Sequence, residues 1–80
     1  MNAKIYVTLK SGVLDPQGKA VKHSLETLGF KEVSDVRIGK FIELKLSDGI
    51  SKGDAENHVK EMCEKLLANT VIESYRIELA

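Results

Sequence analysis

The 80-residue sequence is short of the groups that most readily make chemistry: it has one cysteine, one proline, two histidines and no tryptophan, and aromatics are 5% of it. Cys63, standing alone, excludes an intramolecular disulfide and a zinc-type cysteine set. The aromatics Tyr6, Phe30, Phe41 and Tyr75 are scattered, without the cluster that a single-strand nucleic-acid platform needs. Twelve basic and twelve acidic residues cancel. Their signs are interspersed, with no basic block, and nucleic-acid affinity draws heavily on phosphate neutralisation, so nucleic acid is not an expected partner. No apolar run reaches membrane length. Met1-Asn2-Ala3-Lys4-Ile5 leads straight into a strand pattern rather than a secretory signal. The expectation is one cytosolic domain over residues 1–80, bound to neither nucleic acid nor membrane. With disulfide and metal gone as staples, a chain this short has self-association left as its means of enlarging the core.

What is present is clear periodicity. Residues 3–9 alternate, with Ala3, Ile5, Val7 and Leu9 on one face and Lys4, Tyr6, Thr8 and Lys10 on the other, as in a half-buried strand. A first helix is predicted from Pro16 to Leu28. Val21, Leu25 and Leu28 form its apolar stripe, and Gly29 sits at the position past the end that favours left-handed backbone. Strands are predicted over Val33–Ile38 and Phe41–Leu46. Gly39-Lys40 between them reads as a tight two-residue hairpin or as a glycine bulge in one long bent strand. A second helix runs from Ser51–Asp54 to Ala68, with Ala55, Val59, Met62, Cys63, Leu66 and Leu67 on one face. A last strand covers Ile72–Leu79. The order β-α-β-β-α-β predicts a two-layer α+β domain of ferredoxin-like type: an antiparallel sheet with one face under two helices and the other face mixed, carrying Tyr6, Thr8, Arg37 and Arg76.

The densest local signal is Gly12-Val13-Leu14-Asp15-Pro16-Gln17-Gly18. Asp15 is a good N-cap, because its carboxylate accepts free N–H groups of the first turn. Pro16 fits the first helical position, where no N–H is needed. Gly18 costs about 0.5–1 kcal/mol relative to alanine inside a helix. Its presence points to close approach of another backbone, hence to a contact surface. The segment is not a phosphate loop, since no Gly-Lys-Ser/Thr follows and Asp15 repels an anion. Arg37 and Lys40 flank Gly39, and arginine is enriched at interface hot spots. Gly12, Asp15, Pro16, Gln17 and Gly18 are therefore candidate interface residues, and Arg37, Gly39 and Lys40 read equally as an interface contact or, for the two cations, as surface ion pairs.

Catalytic readings find little support. Cys63 lies on an apolar helix face, where a buried small hydrophobe is the usual role. His23 and His58 are on different helices with no second ligand at metal spacing. Glu56, Lys60, Glu61, Glu64 and Lys65 decorate a solvated face with weak i,i+4 pairs. No catalytic or metal residue is expected.

Gly12 to Gly18, Leu28-Gly29-Phe30, Val36-Arg37-Ile38-Gly39-Lys40 and Met62-Cys63-Glu64-Lys65-Leu66-Leu67-Ala68-Asn69 resemble, in order and spacing over nearly the whole chain, the pattern of the PurS family. Thr70 departs from it, where the family often has proline. PurS is the small subunit of phosphoribosylformylglycinamidine (FGAM) synthase in de novo purine synthesis. The resemblance implies a PurS-like fold and an intertwined homodimer or higher homo-oligomer, in which the first helix and the strand after it exchange between chains. It implies a non-catalytic subunit bridging a glutaminase subunit and a synthetase subunit and supporting ammonia transfer. ATP and Mg²⁺ are then used by the synthetase, and no cofactor is bound by this chain.

Two other classes stand beside it. One is a small ferredoxin-like regulatory module binding an amino-acid or nucleotide effector at its strand–helix loops. The other is an acyl-phosphate hydrolase, which needs an arginine-bearing phosphate cradle after the first strand; the loop here has Lys10 and no arginine.

Overall fold

A computed structural model describes residues Met1–Ala80. The chain forms strand β1 (Asn2–Leu9), helix α1 (Pro16–Thr27), strand β2 (Gly39–Lys45), helix α2 (Lys52–Met62) continued by a π-helical turn (Cys63–Leu67), and strand β3 (Glu73–Leu79). The alternating apolar strand takes the centre. β1 lies between β2 and β3 and is antiparallel to both. Ile5 stands opposite Ile42 on one side and Ile77 on the other, so the apolar set of each strand meets on one face.

Ala3, Ile5 and Val7 are fully buried there beneath Val59 and Cys63, with Ala68 closing the end and Ile42, Leu44, Tyr75 and Ile77 packed around them. Burying a side chain such as Ile5 or Val59 contributes about 1.5–3 kcal/mol. α2 starts on Ser51, whose Oγ accepts the Asp54 N–H at 3.2 Å. Its last turn widens, with the Ala68 N–H bonding to the Cys63 carbonyl at 3.0 Å. This i→i+5 turn brings Cys63, Leu67 and Ala68 all toward the sheet and leaves Leu66 82% exposed.

α1 begins and ends as its sequence predicts. Asp15 Oδ1 accepts the Gly18 N–H at 2.8 Å, and Pro16 occupies the first position. At the other end Gly29 has φ +99°, the Gly29 N–H bonds to the Glu26 carbonyl and the Phe30 N–H to the Leu25 carbonyl. That pair of bonds is the Schellman ending, which requires the left-handed residue glycine supplies.

Three expectations change. Residues 33–38 carry a strand pattern but form no strand and make no backbone–backbone hydrogen bond, so the order within the chain is β-α-β-α-β with three strands rather than four. Gly39-Lys40 is neither hairpin nor bulge, because Gly39 opens β2 opposite Thr8. A Cβ at Gly39 would lie 2.3 Å from the Val7 carbonyl oxygen, and this close strand contact is what glycine permits. Finally, only α2 covers the sheet. α1 and residues 33–38 leave it as an arm, giving extents of 51 × 24 × 14 Å. The stripe Val21, Leu25, Leu28 joins no core, and Leu28 is 71% exposed.

Candidate functional site

The arm leaves the sheet at Leu9 and returns at Gly39, and the predicted interface residues gather at this neck. Asp15 has both carboxylate oxygens engaged. Oδ1 caps α1 through Gly18, and Oδ2 accepts the Ile38 N–H at 2.8 Å, tying the start of α1 to the returning chain. These two N–H bonds, that from Ile38 first, hold the Asp15 carboxyl below its usual range, with Arg37 adding attraction. Arg37 reaches the opposite way. Its Nη2 donates to the Leu9 carbonyl at 2.5 Å and the Lys10 carbonyl at 3.0 Å, joining the returning chain to the end of β1. The sequence reading that put Arg37 on a hairpin tip or on the open sheet face is thereby corrected: Arg37 is a strut across the neck.

Gly18 faces the Val36 carbonyl, which lies 2.3 Å from where a Cβ would stand. The inferred close backbone approach at Gly18 is present, and it is intramolecular. Lys40 Nζ donates to the Leu67 carbonyl at 3.3 Å, placing a cation at the end of the helical run. Asp15, Pro16, Gln17, Gly39 and Lys40 line one cleft of about 370 Å³ with Leu9, Ile38 and Glu73. Gly12 stands apart from it, at a turn with φ +87°.

The neck is committed to holding backbone. Asp15 satisfies two N–H groups and Arg37 two carbonyls, so both spend their polar atoms on geometry. Cys63 is buried, and that burial, with Glu64 second, pushes its thiol up, away from the thiolate a nucleophile needs. His23 and His58 are exposed on separate helices. No group of three or more His, Cys, Asp or Glu side chains is placed to hold a metal ion, and no helix is long and apolar enough to cross a membrane.

Sequence reasoning missed one cluster. On the sheet face away from α2, Tyr6 stacks on Phe41 with ring centroids 5.0 Å apart, and the Arg76 guanidinium lies 4.2 Å from the Tyr6 ring centre. Glu78 pairs with Arg76 and accepts the Tyr6 hydroxyl at 3.3 Å, and Arg76 is the main reason its carboxyl titrates low. Alternation along the strands puts Tyr6 and Arg76 on this face; the stacking of Tyr6 on Phe41 and the seat of Arg76 over Tyr6 depend on strand register, which no local pattern carries.

A small α+β domain whose built features are a braced arm, an uncovered sheet face and exposed apolar side chains belongs to the class of assembly subunits rather than to that of self-contained catalysts. Comparison with known proteins makes this specific. Residues 2–80 match the family described as "PurS: Phosphoribosylformylglycinamidine (FGAM) synthase". The FGAM synthase subunit PurS of Bacillus subtilis is 59% identical over 76 residues, covering 95% of this chain and 88% of that protein. A solved structure of B. subtilis PurS superposes with a TM-score of 0.83 at 57% identity, covering 96% of this chain and 94% of that one. A chain of the PurLQS structure from Thermotoga maritima gives a TM-score of 0.83 at 32% identity, covering 98% and 96%. The chain belongs to the PurS family, the accessory subunit of FGAM synthase in purine biosynthesis. The effector-binding alternative is not favoured by these likenesses.

Proposed function

We propose that this chain works as an intertwined homodimer that bridges a glutaminase subunit and an ATP-dependent synthetase subunit of FGAM synthase. The glutaminase releases ammonia from glutamine. The synthetase activates the formamide oxygen of formylglycinamide ribonucleotide with ATP and Mg²⁺, and ammonia displaces phosphate to give the amidine. This chain fixes the geometry of transfer, binds no cofactor of its own, and acts in the cytoplasm, where these soluble substrates are.

The observation that carries the reading is the uncovered arm. The whole chain's accessible surface of 5814 Å² exceeds by about 1,000 Å² that of a compact chain of this mass, and its radius of gyration of 16.2 Å compares with about 12 Å for such a chain. The excess matches what one partner gives up to a standard interface, about 800 Å². An apolar helical stripe, a strand-patterned segment without a ladder and an open sheet face are what a second copy covers. The likeness to a chain of PurLQS supports the larger assembly.

The test is reconstitution. With purified glutaminase and synthetase subunits, adding this chain is expected to switch on FGAM formation from glutamine while leaving formation from added ammonium salt unchanged. Equal glutamine-dependent rates with and without the chain overturn the bridging role. Sedimentation velocity of the chain alone checks the dimer.

A further inference from the structure

The arm needs a device that fixes its direction, and the neck supplies one. No backbone–backbone hydrogen bond joins residues 33–38 to the rest of the chain. The returning chain is instead held by side chains of two residues: Asp15 Oδ2 on the Ile38 N–H at 2.8 Å, and Arg37 Nη2 on the Leu9 and Lys10 carbonyls at 2.5 and 3.0 Å. The two side chains reach in opposite directions across the neck, Asp15 from the outgoing chain to the returning chain and Arg37 back. Each uses a charged group on a neutral backbone partner, the stronger kind of hydrogen bond. The Val36 carbonyl is seated against Gly18 between them.

We propose that Asp15 and Arg37 form a conformational latch that holds α1 away from its own sheet and so keeps the arm available for exchange with a second copy. Two segments connect α1 to the sheet, residues 10–15 and 28–38. Both are irregular apart from the turn at Gly12 and the helix ending at Gly29. Apart from the latch, only the Val36 carbonyl seated against Gly18 constrains the angle of α1 at the neck. The Val21–Leu25–Leu28 stripe then has a competing place to bury itself, over the part of its own sheet that α2 leaves open. Seated on a second copy, an open arm buries the same stripe that a folded-back arm buries on its own sheet, so a few hydrogen bonds at the hinge decide between them. The same logic makes hinge segments the control points of domain exchange. This inference rests on the homodimer proposed above.

The decisive variant is Asp15→Asn. Asparagine is an equally good N-cap, but it has one acceptor oxygen where aspartate has two. One of the two bonds is therefore lost, and retained helical circular dichroism marks it as the Ile38 bond rather than the Gly18 cap. Unlabelled and ¹⁵N-labelled protein are mixed, and the appearance of mixed dimers is followed by native mass spectrometry. Loss of a charge-assisted bond from the exchange-competent state predicts that mixing accelerates, or the monomer fraction rises, by about tenfold. Equal mixing rates and equal monomer fractions in wild type and variant overturn the latch. A monomeric wild type overturns the dimer instead, so the two failures are distinguishable. Should Asp15→Asn lose its helical circular dichroism, Arg37→Gln carries the same comparison, because it leaves the α1 cap untouched and removes only the strut.

Discussion

The carbonyl oxygen of Val36 occupies the space that a Cβ at Gly18 would need, 2.3 Å from its ideal position. A helix interior that tolerates glycine does so here because another backbone is pressed against it. Gly18→Ala gains intrinsic helix propensity of about 1 kcal/mol, yet must push the returning chain or α1 aside. The expected net effect is destabilisation of about 1–3 kcal/mol, read from urea denaturation. Gly53→Ala is the control: a Cβ there meets nothing within 4 Å, and the change is expected to be neutral or stabilising by up to about 1 kcal/mol. The opposite ranking of the two variants would mean that the Val36 contact is not held in solution.

The core admits little loss. Ile5 is fully buried at the centre of the central strand, between Ile42 and Ile77. Ile5→Ala is expected to cost about 2–5 kcal/mol, a large share of the roughly 5 kcal/mol that a small domain has in total. The expected result is loss of a cooperative thermal transition above room temperature, checked by calorimetry.

Acid sensitivity has a local source in Asp15. Its folded pKa is depressed, so its contribution is complete above the unfolded carboxylate value of about 3.9 and is lost as pH falls through the lower folded value. In that window the unfolded chain binds more protons, so stability rises with pH. Glu61, lowered by Lys65, and Glu78, lowered by Arg76, act with the same sign. The fall in melting temperature between pH 5 and pH 3 is expected to be smaller in Asp15→Asn than in wild type. Identical falls would assign the acid response to the two glutamates.

Leu28 separates protomer stability from assembly. It is 71% exposed in the single chain, so Leu28→Asp is expected to change the unfolding free energy by no more than about 0.5 kcal/mol when measured on dilute, dissociated protein. In the proposed dimer the same side chain belongs to the exchanged stripe, and a buried unpaired carboxylate is costly. The dimer dissociation constant from sedimentation equilibrium is expected to rise at least tenfold; an unchanged constant removes Leu28 from the interface.

The elements whose causes are local were legible along the chain. Alternation in Ala3-Ile5-Val7 fixed the central strand, Asp15-Pro16 and Gly29 fixed both ends of α1, and the period of Ala55, Val59 and Cys63 fixed the buried face of α2. Gly18 carries the signal of a close backbone approach, though not the identity of its partner, the Val36 carbonyl. Partnership was settled in the folded chain. Val33–Ile38 has the composition of a strand, but a strand exists only where another edge accepts its hydrogen bonds, and within this chain none does. The α1 stripe has the spacing of a core helix, but spacing does not say which sheet it meets. Arg37 was illegible as a strut, because its acceptors are the Leu9 and Lys10 carbonyls, and main-chain groups look alike in every sequence. Periodicity is a property of neighbours along the chain; pairing depends on distant backbone groups brought within 3 Å, and these only the folded geometry specifies.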